Sequence, residues 1–246
     1  MILQLDGLTK SFGAFMAVNN FGCTVSNGEL LALIGPNGAG KSTVLNLITG
    51  FLKPDSGKVT FKGEDITKFP PHRASQRGIG LAFQVSSIFP KLTAYQNIQA
   101  PLFTSRGKTT HLFSSATPMF QDEIAETLDT VGLLEKAYAT ADSLAQADRK
   151  RLELGMALAT GAELLLLDEP TAGQSVKETP EVMELIRNIN KDKGLTILFI
   201  EHKMDVVFGI AERIIVMHHG RIIADGEPDA VRKNEEVQKA YLGEAE

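Results

Sequence analysis

The chain has 246 residues, enough for one large domain or two modest ones with a sizeable buried core. Hydrophobic residues make up 43% and charged residues 22%, which excludes a disordered chain, and the formal charge of −5 excludes a nucleic-acid binder relying on bulk positive charge. No apolar run approaches the roughly 18–20 residues that cross a bilayer. The first six residues lack the basic and long apolar regions of a signal peptide. The single cysteine, Cys23, cannot form an internal disulfide and fits a reducing compartment. The expectation is a soluble, cytoplasmic chain that reaches a membrane only through a partner.

In chain order, residues 2–5 and 21–25 read as strands, with Cys23 a small core residue. The apolar run 30–34 reads as a buried strand, and residues 42–49 as a helix stopped by Gly50. Between them stand Gly35, Pro36, Asn37, Gly38, Ala39, Gly40, Lys41, Ser42 and Thr43, the pattern G-x-x-x-x-G-K-[S/T]. Glycines let such a loop turn its N–H groups toward phosphate oxygens, and the helix adds its positive end. Lys41 is placed to reach the β- and γ-phosphates and the Ser42 hydroxyl to ligate Mg²⁺. A bound nucleoside triphosphate is the implication.

Residues 53–57 read as a turn, 58–61 and 79–83 as strands. From about 90 to 160 the pattern turns helical, as in the spacing of Ile124, Leu128 and Val131, and residues 104–110 read as a loop. Leu112, Phe113, Met119 and Phe120 around that loop fit either local packing or a partner-docking surface. Residues 164–167 read as a buried strand, followed by helix 180–190, strand 196–200, helix 204–211, a hairpin over 213–224 turning at His219-Gly220, and a helix over 228–241. Alternating strands and helices predict an α/β fold with a mostly parallel sheet covered on both faces. The predicted organisation is one domain over 1–246, with a helical subdomain at 90–160 and a hairpin and helix at 213–246.

Four leucines ending in Asp168-Glu169 supply the second half of a nucleotide site. Asp168 closes a buried strand, where open α/β sheets place ligands, and is placed to hold Mg²⁺ directly or through water. Glu169 is the candidate to orient and polarise the attacking water. His202 and Gln84 each follow a strand of the same sheet. The imidazole would reach the γ-phosphate, and the amide would ligate the metal and contact water.

With these motifs in this order, the chain resembles the nucleotide-binding subunits of ABC transporters over essentially its whole length. It looks closest to the ATPases of branched-chain amino-acid importers, through residues 17–20, 47–51, 83–84 with 88–93, 169–175, and the ending 226–228 with 240–243. The resemblance implies the P-loop fold of ABC ATPases with an N-terminal antiparallel β part, and hydrolysis of ATP with Mg²⁺. It identifies Phe12 as the aromatic that stacks on adenine, against the alternative of a core aromatic. Such importers pair two related ATPases, alike or different, with two permeases at the cytoplasmic face of the inner membrane and with a periplasmic solute-binding protein. No nucleic-acid partner is implied.

One segment departs from the family. Its signature loop usually reads Leu-Ser-Gly-Gly-Gln, whereas Leu144, Ala145, Gln146, Ala147 and Asp148 stand here. In the family this loop closes over the nucleotide held by the opposing subunit. The hydroxyl is lost and two glycines are replaced, so an unequal pair of sites in a heterodimer is the expectation. The alternatives are that this subgroup tolerates the change, or that the pair is a homodimer. Ser175 also departs, standing where many members carry Asp. Competing readings are an ATPase of lipopolysaccharide export and a soluble ABC ATPase without a transport role. A GTPase is disfavoured, because Lys193 stands where the guanine-reading motif needs Asp.

Overall fold

Leucine, isoleucine and valine runs too short for helices, set between glycine-rich turns, make the strands of two sheets. In the computed structural model, which describes residues 1–82, 88–105, 120–175 and 178–242, the first part of the chain runs β1 (Leu3–Phe12), β2 (Phe15–Val25), β3 (Leu30–Ile34), α1 (Lys41–Thr49), β4 (Ser56–Phe61), β5 (Glu64–Asp65), α2 (Pro71–Gln76) and β6 (Ile79–Ala82). Helices α3 (Ala94–Ser105), α4 (Gln121–Thr130) and α5 (Gln146–Ala159) follow. The chain then returns to the sheet with β7 (Leu164–Asp168), α6 (Glu178–Lys193), β8 (Thr196–Ile200), α7 (Met204–Ile210), β9 (Arg213–His218) and β10 (Arg221–Gly226), before α8 (Pro228–Arg232) and α9 (Glu235–Leu242).

The larger sheet has the order β10-β9-β3-β8-β7-β6, parallel throughout except for β10, which pairs antiparallel with β9. The smaller sheet is antiparallel, in the order β2-β1-β4-β5. Strands β3, β7 and β8 are buried at every residue, which explains why their sequences are unbroken apolar runs rather than alternations. Alternate residues serve two cores. Ala32, Ile34, Leu165 and Leu167 pack with the helices of residues 94–159, while Leu31, Leu33, Leu164 and Leu166 pack against the smaller sheet and α1. Helices α3 to α5 close on one another through Ile98, Leu102, Ile124, Leu128, Val131 and Leu152, all fully buried.

Three sequence expectations need correction. The first two strands run well beyond 2–5 and 21–25, because shifts of register after Leu5 and Leu8 break the alternation that would have revealed them. Thr104 and Ser105 belong to the last turn of α3, where their hydroxyls donate to the carbonyls of Pro101 and Leu102. The rest of the expected loop, with Leu112, Phe113 and Met119, lies outside the described residues. Phe120 is part-buried and meets Phe103 edge-on at 5.7 Å, local packing rather than an exposed docking residue. The expected single helix over 228–241 is two. Asn234 breaks it, its Oδ1 accepting from the N–H groups of Glu236 and Val237 at 2.9 and 3.1 Å as the cap of α9.

Candidate nucleotide site

The loop of residues 35–40 joins the central strand β3 to α1, and two of its glycines are required by space. Gly35 has φ 149°, and a Cβ there would lie 2.1 Å from the Met217 carbonyl oxygen. Gly40 has φ 103°, and a Cβ there would lie 2.2 Å from the Ala17 carbonyl oxygen. The loop is thus held between β2 and β9. The turn after β9 adds a further tie, Gly220 N–H donating to Ala39 O at 3.0 Å while its own carbonyl accepts from Asn19 N at 2.8 Å. Gly40 caps α1 without a side-chain bond and no acidic residue occupies the first turn, so the helix directs its N–H groups and positive end into the loop. Lys41 is buried, and its Nζ donates to the carbonyls of Gly35 and Pro36 at 2.7 and 2.8 Å.

Asp168, Glu169 and His202 come from the ends of the neighbouring strands β7 and β8. Burial pushes the Asp168 carboxyl above the usual carboxylate range; a hydrogen bond from Ser42 lowers it, Glu169 raises it, and Lys41 and His202 lower it. Its Oδ1 is buried without a hydrogen-bond partner among the described residues. An orphaned carboxylate oxygen beside a hydroxyl is a hard-oxygen donor set that fits Mg²⁺, which takes few protein ligands and completes its shell with water and phosphate. Glu169 has φ 54°, left-handed for a non-glycine residue, and its N–H donates to Ile200 O at 3.0 Å. Its Oε1 lies 2.8 Å from His202 Nε2, with both side chains partly exposed.

A cavity of about 230 Å³ brings Glu169 and His202 to the phosphate loop, lined by these two with Phe12, Phe15, Ala17 and loop residues 37, 38 and 40–43. A larger cavity of about 980 Å³ lies beside it and shares Phe12, bounded also by Asn46, Phe51, Leu52, Pro71, Leu81 and others, with no carboxylate, lysine or arginine among the described residues of its wall. The triphosphate chemistry belongs to the smaller one. Phe12 is 46% exposed at the cavity mouth, which overturns the core-aromatic alternative. Phe15, 59% exposed and paired with Phe12 across the hairpin turn, was not anticipated; the repeated aromatic in Phe12-Gly13-Ala14-Phe15 was its signal. Gln84 lies outside the described residues. Glu201 was also missed: it is buried, and its carboxylate accepts from Thr171 and His202.

The signature segment lines neither cavity. Leu144 is buried, Ala145 stands in extended conformation before α5 without a side-chain cap, and Gln146, Ala147 and Asp148 form the first turn. None of the five has positive φ, so alanine at 147 carries no conformational penalty and only its Cβ bulk distinguishes it from glycine. Asp148 pairs with Lys136.

A strand-to-helix glycine loop with its lysine, facing an acidic strand end, defines the class as a P-loop nucleoside triphosphatase. The family model described as ABC transporter matches residues 18–172, and a second, described as branched-chain amino acid ATP-binding cassette transporter, matches residues 221–246. The chain is 40% identical to the high-affinity branched-chain amino acid transport ATP-binding protein LivG of Salmonella typhimurium, over 99% of this chain and 98% of that one. It is 37% identical, over the same shares, to BraF of Pseudomonas aeruginosa, described in the same words. Among solved structures, the ADP conformation of MJ1267, an ATP-binding cassette of an ABC transporter, superposes with a TM-score of 0.86 at 30% identity, over 98% of each chain. The chain belongs to the ABC transporter ATP-binding cassette family, and it is an ATPase.

Proposed function

We propose that this chain powers an importer of branched-chain amino acids or related small solutes, through a site in which Glu169 and His202 act on ATP held by residues 35–43. The observation that carries the catalytic part is the 2.8 Å contact between Glu169 Oε1 and His202 Nε2 at the mouth of the phosphate-loop cavity. Phe12 and Phe15 receive the adenine face, and the loop amides with Lys41 hold the phosphates. Glu169 takes up the proton of a water aligned with the γ-phosphate, while His202 fixes the carboxylate's orientation and offers its imidazole to the γ-phosphate oxygens. Ser42 and Asp168, with Gln84 as a further ligand, would hold Mg²⁺, which when bound would neutralise charge on the phosphates. The residues supply position and electrostatics, the main requirements of phosphoryl transfer.

LivG and BraF are described as branched-chain amino acid transport proteins, and their identity exceeds the 34% of LptB of Haemophilus influenzae, described as a lipopolysaccharide export system ATP-binding protein. Among the described residues no helix is long and apolar enough to cross a membrane. We therefore assign permease subunits as membrane partners, the cytoplasmic face of the inner membrane as location, and a periplasmic solute-binding protein as solute source. We assign α3, α4 and α5 as the helical arm that, with Gln84, carries coupling to the permeases. A related cassette, MJ0796, is dimeric with ADP and Pi bound at 26% identity. In the matching dimer here, the segment would meet the partner's nucleotide without a hydroxyl at Ala145 and with added side-chain bulk at Gln146 and Ala147, which favours a heterodimer with unequal sites.

The test is ATP hydrolysis and ATP binding by the Glu169→Gln and Lys41→Ala chains. Glu169→Gln should lower hydrolysis at least a hundredfold with ATP binding retained, and Lys41→Ala should lose binding itself. Unchanged hydrolysis in Glu169→Gln would sink the catalytic reading. Co-purification of hydrophobic permeases, or their absence, separates transporter from soluble ATPase.

A further inference from the structure

We infer that Glu201 is a positioning residue of the hydrolytic site, whose buried carboxylate locks the loop after Glu169 to His202 and so sets the Glu169–His202 contact. This rests on the reading of Glu169 and His202 given above. Strands β7 and β8 pair in parallel as far as Asp168 and Ile200, and Glu169 N–H still reaches the Ile200 carbonyl. There the backbone ladder ends, because Glu169 turns left-handed and the chain leaves the sheet. The next N–H groups on the two chains need partners, since an unpaired buried N–H costs about as much as a lost hydrogen bond.

One side chain serves both. Glu201 is 3% exposed; its Oε1 accepts from Thr171 N–H at 2.9 Å and from the Thr171 hydroxyl at 2.6 Å, and its Oε2 accepts from His202 N–H at 3.0 Å. Thr171 is itself 1% exposed, and the loop between it and Glu169 is closed by Ala172 N–H donating to Glu169 O at 3.0 Å. The carboxylate thus replaces the missing rung of the sheet and spans the two segments that carry the reacting side chains. A left-handed glutamate persists only where its surroundings over-determine it. The clamp on Thr171, two residues on, supplies that constraint from one side, and the Ile200 carbonyl supplies it from the other. Burying a carboxylate costs desolvation that an apolar residue would avoid. What it secures here is a fixed distance between two loops, which burial of an apolar side chain would not specify.

Glu201→Gln keeps the shape but presents one oxygen and one NH₂ to a site with donors on both sides, so one N–H must face another. In the full-length chain, purified with the subunits it retains, single-turnover ATP hydrolysis should fall at least tenfold while the ATP dissociation constant stays within twofold. Thr171→Val, which removes one of the three donors, should slow hydrolysis in the same direction, and Thr171→Ser should restore it. The threonine pair carries the test alone if Glu201→Gln does not fold. Hydrolysis within twofold of the unsubstituted chain in Glu201→Gln would overturn the inference. So would parallel losses of rate, binding and melting temperature with Thr171→Val neutral, the signature of a role in folding alone. Hydrolysis unaffected by both Glu169→Gln and His202→Ala would instead overturn the underlying reading of the site.

Discussion

Phe12 and Phe15 flank a two-residue hairpin turn and leave large apolar surfaces at the cavity mouth, where a purine face would cover them. Stacking of a base on an aromatic ring contributes about 1–3 kcal/mol. Phe12→Ala should therefore raise the ATP dissociation constant by roughly fivefold to a hundredfold, and Phe15→Ala should act in the same direction, as calorimetric titration would measure. Cys23 is the opposite case. Burial pushes its thiol up to about 12 from 9.0, with Arg213 lowering it and Asp225 and Glu29 raising it. Because the folded pKa is the higher one, the contribution to stability is fully present below about 9 and is lost as pH rises through about 12. The thiol should resist a maleimide at pH 8 in the folded chain and react on unfolding, a contrast that labelling followed by mass spectrometry reads directly. At this scale the sequence spoke clearly for Lys41, Ser42, Asp168 and Glu169, whose types and spacing are dictated by phosphate and metal chemistry. It was silent on Glu201. A glutamate after four apolar residues reads as the solvated end of a strand, and only the turn of the neighbouring loop shows that its carboxylate points inward.

Elements whose two faces meet the same environment were legible, and those whose rhythm is interrupted were not. Strands β3 and β8 have the bounds that their apolar runs give, because both of their faces are covered. In β1 and β2 the bulges shift the buried face, so a period of two does not extend along the strand. The break between α8 and α9 rests on one side chain, and apolar periodicity does not report caps of this kind within a helical stretch. Asn234→Ala removes two capping bonds and should destabilise the chain by about 1 kcal/mol, measured by urea unfolding, without changing ATP affinity. Gly35→Ala is the severe counterpart. The Cβ would overlap the Met217 carbonyl at 2.1 Å, so the strand–loop–helix junction must deform, and nucleotide binding should be lost even where the remaining fold survives by circular dichroism.

Across the molecule, the phosphate loop is shaped by segments far apart in the chain: Ala17 of β2, Met217 of β9 and Gly220 in the turn that follows it. If the cassettes pair unequally, Glu169→Gln here and the equivalent change in the partner should give different losses of steady-state ATP hydrolysis. Equal losses would remove the case drawn from residues 144–148. The strand order has a consequence for synthesis. Strand β3 lies between β8 and β9, and Gly220 holds Ala39 from the turn after β9. A ribosome therefore exposes the phosphate-binding motif early and must extend the polypeptide by about 180 residues before its scaffold exists. Nascent chains halted at residue 212 should fail to bind ATP, whereas chains released at 226 or beyond should acquire it. Until β8 is made the apolar strand leading into the motif lacks both of its flanking strands, and until β9 is made it still lacks one, which makes this interval the one in which a chaperone has most to protect.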